Sequence, residues 1–286
     1  MAGFFGLFDY TKEGPGVEKT ERKKKGFFAF FEIYFRNFWN FVKIDLVYWA
    51  MSIPLFTNGM AKAGLTHIAR SATREKHAFV FSDFFETVKK NWKQSLILGI
   101  LNVVATAILA LDVWYFWNTT AADTGLFSII GLGVALFLLV SATFMKYYIW
   151  LLTITFDLPI RLLLKNSFHF VFLNLWHNIL IAVTLGVVYA ALYFLAVLNP
   201  FCFVLAAILF IFVLPGFKTF LVQANVFPAV KKYMIDPYYR EHKGEDIEKR
   251  RALGLEISPD ELPSEQPEES KSIFTDTVSK GDPSDS

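Results

Sequence analysis

The chain has 286 residues, 54% of them hydrophobic and 17% aromatic with 32 Phe, and only 19% charged, a balance too apolar for an ordinary soluble domain. Its one Cys, Cys202, excludes a disulfide framework and a cysteine zinc site. The net charge of +2 hides an asymmetry, because residues 1–235 hold 21 basic and 12 acidic side chains while residues 236–286 hold 7 and 14.

Residues 1–26 form a basic segment with neither a continuous apolar core nor a small-residue cleavage site, so no signal peptide is expected there. A helix that crosses the hydrocarbon needs about 20 mostly apolar residues. Five runs meet or approach that length: 38–56, 95–117, 126–156, 175–198 and 201–222. Five crossings, however, would place the seven basic residues before the first run opposite the six between Arg70 and Lys93. That conflicts with the tendency of Lys and Arg in short flanking loops to stay in the cytoplasm.

A return helix over 56–72 (FTNGMAKAGLTHIARSA) removes the conflict. It follows Pro54, contains no proline, and carries Gly59, Ala61, Ala63, Gly64, Ala69 and Ala72, small residues that let helices approach closely in a bilayer. Pro54, Thr57, Gly59 and Gly64 are therefore candidate turn and helix-packing residues. The expected fold is all-α, a polytopic membrane helical bundle of six transmembrane helices with both termini cytoplasmic. The alternative lays 56–72 along the cytoplasmic surface, giving five spans and an external N-terminus. A glycosylation sequon, Asn118-Thr-Thr, sits in a very short loop and is assigned no role.

Three stretches resemble one another: FFEIYFRNFWNFVKIDLV from Phe30, FFETVKKNWKQSLILGIL from Phe84 and SFHFVFLNLWHNILIAVT from Ser167. Each has an aromatic start, an Asn close to a Trp, and then an apolar run. Glu32, Arg36, Asn40 and Lys43 make one polar stripe, and Asp83, Glu86, Lys90 and Lys93 another. These mark amphipathic interfacial helices, with Trp39, Trp92 and Trp176 as anchors at headgroup depth. The pattern predicts three repeated hairpins, each preceded by an interfacial helix, together forming a membrane domain over 27–235. The third copy has the poorest stripe.

The second helix of each predicted hairpin carries one lysine: Lys62, Lys146 and Lys218. Each lies about 15 to 20 Å from the cytoplasmic end of its helix. An intramembrane lysine is costly and by default faces a partner, the bundle interior or an aqueous cavity. Two accounts stand open: a shared cationic site for an anionic ligand, or local snorkelling and pairing, for instance of Lys62 with Asp45. Asp45 is the other candidate for a buried polar role.

No HExxH, Walker loop, GxSxG elbow or GxGxxG turn is present, so no catalytic residue, metal or cofactor is expected. The basic run Arg22–Lys25 beside a span suits anionic lipid better than nucleic acid. Residues 236–286, rich in Pro, Glu, Ser and Asp, are expected to form a disordered acidic cytoplasmic tail.

The runs IDLVYWAMSIPLFTNGMAKAGLTHIARSATRE and VFSDFFETVKKNWKQSL, with GFFGLFDYTKEGPGVEK at the start, resemble the YesL family of bacterial membrane proteins, also called DUF624. The similarity is clearest from Gly3 to about Leu98. Its most characteristic pieces are Pro54, Thr57 and Gly59, and the run Lys90, Asn91, Trp92, Lys93, Gln94. Asp45 stands where that family more often has Asn, and the tail is an addition. The resemblance implies a bacterial cytoplasmic membrane location and carries no catalytic residues. Its members often accompany sugar-uptake ABC transporters, two-component sensors and glycoside hydrolases, which is association rather than mechanism. The expectation is a non-enzymatic accessory or assembly partner of a carbohydrate ABC transporter or membrane sensor, with homo-oligomers allowed. The alternative is a self-contained small-molecule or ion transporter using the lysines.

Overall fold

The computed structural model describes residues 26–76, 78–122 and 125–241, and these are helical throughout apart from short turns. The basic segment before residue 26 and the acidic tail beyond 241 lie outside the described residues. In chain order the helices are α1 (Phe27–Arg36), α2 (Phe38–Ser52), α3 (Asn58–Thr73), α4 (Val80–Ala122), α5 (Leu126–Thr155), α6 (Ile160–Leu173), α7 (Leu175–Leu198), α8 (Pro200–Phe212) and α9 (Leu214–Val230). A single 3-10 turn, Leu55–Thr57, joins α2 to α3. Residues 232–241 belong to a separate unit that contains α10 (Asp236–Glu241).

Three helices, α4, α5 and α7, are long and apolar enough to cross a membrane, and α8 with the helix that follows it, bent by 49°, makes a fourth candidate. Two belts of exposed aromatic residues fit such a placement. On α4, Trp92 and Trp114 are 22 positions apart, about 33 Å of helix, and on α7 Trp176 and Tyr193 are 17 apart, about 26 Å. The hydrocarbon of a bilayer is about 30 Å thick, and Trp and Tyr favour its two edges. This is a membrane helical protein.

The repeat is visible in the backbone, with a difference in its middle copy. In the first unit Asn37 interrupts the helix between α1 and α2, and in the third Asn174 does so between α6 and α7. The stripe from Glu32 to Lys43 is thus split over two helices. In the second unit the interfacial segment runs without a break into α4, although the Asn91 amide donates to the Thr87 carbonyl just as the Asn37 amide donates to the Ile33 carbonyl.

The first hairpin is helical where expected but short, with α2 at 15 residues and α3 at 16. Its tip lies part-way along its neighbours. Gly59, at the start of α3, is packed on Gly99, and α4 runs 23 residues past that point, about 34 Å. Helix α3 is central, buried along most of its length against α2, α4, α5 and α9. Its weak hydrophobicity therefore reflects contact with protein. Around its later half an aromatic core gathers Tyr34, Phe41, Leu65, Ile68, Phe84 and Phe220, with Tyr34 and Phe41 stacked at 5.4 Å. Beyond this compact end two hairpins, α4–α5 and α7–α8, continue as largely exposed apolar helices.

Val213 separates α8 from α9, so the run 201–222 is a broken helix rather than a continuous one. Pro215, just after the break, has no N–H to offer to the Ile211 carbonyl four residues back.

Candidate functional site

Lys62, Lys146 and Lys218, which lie in three different helices, all line one cavity of about 410 Å³. Their equivalent places in the repeat explain the convergence. Lys62 is 11 positions before the end of α3, Lys146 is 9 before the end of α5, and Lys218 is 12 before the end of α9. Each is thus about 14 to 18 Å from the end of its helix that carries the basic flanks. The three ammonium groups interact electrostatically, Lys62 with Lys146 and Lys218, and Lys146 with Lys218.

Among the described residues the cavity wall holds no Asp or Glu. Lys62 lies over the Trp150 ring, 5.8 Å from its centroid. Tyr147, Tyr189 and Thr66 add hydroxyl groups, and the buried Gln223 amide has an oxygen without a hydrogen-bond partner. Leu65, Leu185 and Val222 supply apolar wall. Uncompensated positive charge away from bulk water is unfavourable, and an anion is the chemistry that offsets it.

Helices α3, α5, α7 and α9, with Tyr48 of α2, line the cavity, and α5 and α7 scarcely pack on each other. They meet through Tyr148, whose hydroxyl donates to Asn178 Oδ1 at 2.7 Å and accepts from Asn174 Nδ2 at 3.1 Å. Tyr148 is fully buried and stacks on Phe170 of α6, closing the gap at that end. Gly186 of α7 lines the cavity, and a Cβ added to it would meet open space.

Asp45 serves a different part of the molecule. Its Oδ2 accepts the Gly216 backbone N–H at 3.0 Å, at the N-terminus of α9, where a carboxylate suits the helix dipole. No ion pair joins it to Lys62 among the described residues, so the local pairing considered from sequence is not made. One turn further along α2, Trp49 Nε1 donates to the Ile211 carbonyl at 2.9 Å. Asp45 and Trp49 thus satisfy backbone groups on both sides of the α8–α9 break, as irregular backbone at membrane depth requires.

The remaining sequence candidates fall at contacts. Thr57 donates from Oγ1 to the Pro54 carbonyl at 2.7 Å and also bonds the Met51 carbonyl, holding the turn. A Cβ at Gly59 would lie 2.2 Å from the Ser95 carbonyl, and one at Gly64 would lie 2.6 Å from the Phe84 ring. Trp39, Trp92 and Trp176 are exposed. The roles of Gly99, Gly186, Gly216 and Trp49 were not apparent from sequence, because each depends on a partner from another helix.

The family model described as "Protein of unknown function, DUF624" matches residues 41–113. That stretch contains Asp45, Trp49, Lys62 and the Gly59–Gly99 contact, whereas Lys146 and Lys218 lie beyond it. No curated protein and no solved structure matches the chain. The match spans most of α2, all of α3 and most of α4, and over those residues the chain is similar to the DUF624 family.

Proposed function

We propose that this protein binds a small anionic ligand inside the membrane and acts as a carrier or receptor for it. The observation behind this reading is the convergence of Lys62, Lys146 and Lys218 on one cavity whose wall holds no carboxylate. Repeat-built transporters place their sites near the bilayer midplane between repeats, and this cavity takes one lysine from each of three units. The similarity to YesL proteins supports a bacterial cytoplasmic membrane setting, with the basic end of the bundle and both termini in the cytoplasm.

Thermal stability of the purified protein in detergent, titrated with inorganic diphosphate and separately with dodecyl phosphate, tests the proposal. A saturable rise in Tm with either probe, absent when all three lysines are replaced by Met, is the expected result. No rise with either probe, or an equal rise in the triple variant, overturns it.

The accessory reading keeps support from the exposed apolar sides of α4–α5 and α7–α8, which suit a helical partner as well as lipid. Stoichiometric co-purification with an ABC transporter or sensor subunit from native membranes would favour it.

A further inference from the structure

The opening of the cavity narrows the class of ligand, given that the cavity binds an anion as proposed above. We infer that it receives the phosphate headgroup of an anionic membrane amphiphile, which enters sideways between α5 and α7 and leaves its chain in the space between the two projecting hairpins.

Three features of the structure carry this. The first is charge. Three ammonium groups with no lining carboxylate match a phosphate monoester or diphosphate, which bears more than one negative charge and several acceptor oxygens, better than a single carboxylate or a phosphate diester. The Tyr147 and Tyr189 hydroxyls add donors for the same oxygens.

The second is direction. At the end with the basic flanks the gap between α5 and α7 is closed by the Tyr148, Asn174 and Asn178 cluster and by the Phe170 ring. Elsewhere α5 and α7 scarcely pack on each other, and Gly186 leaves the wall without a side chain. Tyr189 and Lys218, both of which line the cavity, are exposed.

The third is what lies outside the opening. From there α5 and α7 continue as apolar, largely exposed helices toward the far aromatic belt, so the opening adjoins the layer that hydrocarbon chains occupy. A soluble anion would have to cross that layer to reach the lysines. A lipid already resides in it, and its headgroup exchanges hydration for three cations.

The test releases the full chain from nanodiscs of phosphatidylcholine doped with either phosphatidic acid or phosphatidylglycerol, and identifies retained lipid by native mass spectrometry. Thermal shifts with inorganic diphosphate are measured in parallel on the same variants. The wild type should retain phosphatidic acid over phosphatidylcholine and phosphatidylglycerol by about tenfold or more, and Lys146→Met should remove most of that preference, as expected for loss of a charge-assisted bond. Gly186→Phe, which places a ring in the open space at that wall, should reduce lipid retention at least several-fold.

A lysine-dependent diphosphate shift without lipid preference would overturn the amphiphile inference and leave anion binding standing. Absence of both would overturn both. If the Met variant fails to purify as a monodisperse species, Lys146→Gln, which keeps a polar end of similar reach, provides the same comparison.

Discussion

Asp45→Ala is expected to loosen the broken span α8–α9 without emptying the lysine cavity. Asp45 is fully buried, and its Oδ2 is the acceptor for the Gly216 N–H. Hydrogen bonds to charged groups contribute about 1.5–3 kcal/mol in proteins generally, while polar pairs in membrane proteins average about 0.6 and reach about 1.7. With the Gly216 donor left unpartnered, the loss should be about 1–2 kcal/mol. Asp45→Asn keeps an acceptor oxygen for the Gly216 N–H and should cost no more than about 0.5 kcal/mol. Trp49→Phe removes the bond to the Ile211 carbonyl and should cost about 1 kcal/mol. Because the two side chains hold opposite sides of one break, their double mutant should show a coupling energy of about 0.5–1 kcal/mol. Equilibrium unfolding in mixed micelles measures all four variants. Asp45→Ala as stable as the parent, or Asp45→Asn as damaging as Asp45→Ala, would refute the capping role.

Other expectations concern separate contacts. Gly59→Ala sets a methyl against the Ser95 carbonyl and the Gly99 Cα, both backbone, so it should destabilise by at least about 1–3 kcal/mol in the same unfolding assay. Lys146→Met in ligand-free protein should raise stability by about 1 kcal/mol through relief of repulsion among three ammonium groups, and a fall in stability would show that the amine has a partner. Glu75→Gln should change stability by no more than about 0.5 kcal/mol, since its 2.9 Å pair with Arg36 joins side chains that are 44% and 52% exposed. A cysteine at Leu55, in a Cys202→Ser background, should resist an impermeant maleimide added to either side of sealed vesicles, because the hairpin tip lies at the level of Gly99. That level is about 10 Å beyond Trp92 on the way to the far belt. Labelling as rapid as at Asn118 would show instead that the hairpin reaches the far surface.

The helices, the repeat and the lysines were legible because each leaves a local trace. Apolar run length marks α4, α5 and α7, and the Asn and Trp pairs at 37 and 39 and at 174 and 176 mark two helix breaks. Asn91 carries the same trace without a break, and the side-chain bond to the carbonyl one turn back does not separate the two cases, since Asn37 makes it as well. Equal placement within repeated units singled out Lys62, Lys146 and Lys218 but left open whether they meet, which only the fold shows. What a single strand of sequence does not display is the partner across space. Asp45 looked like a counterion for Lys62, its neighbour in the first hairpin, but the backbone N–H it meets lies 171 positions along the chain. The break at Val213 was likewise hidden inside a run that is apolar on both sides.

The separation between those partners sets a timetable for assembly. Helices α2 and α3 leave the ribosome early, yet the groups that complete the packing of α2, the Ile211 carbonyl and the Gly216 N–H, are made 162 and 171 residues later. Helix α3, too polar to be held by lipid alone, likewise waits for α4, α5 and α9. Contacts of such long range form late and expose their elements meanwhile. The first hairpin is therefore the part of the molecule whose maturation depends on the last helix to be synthesised, and a chain ending before Leu214 would leave it without its closing partner.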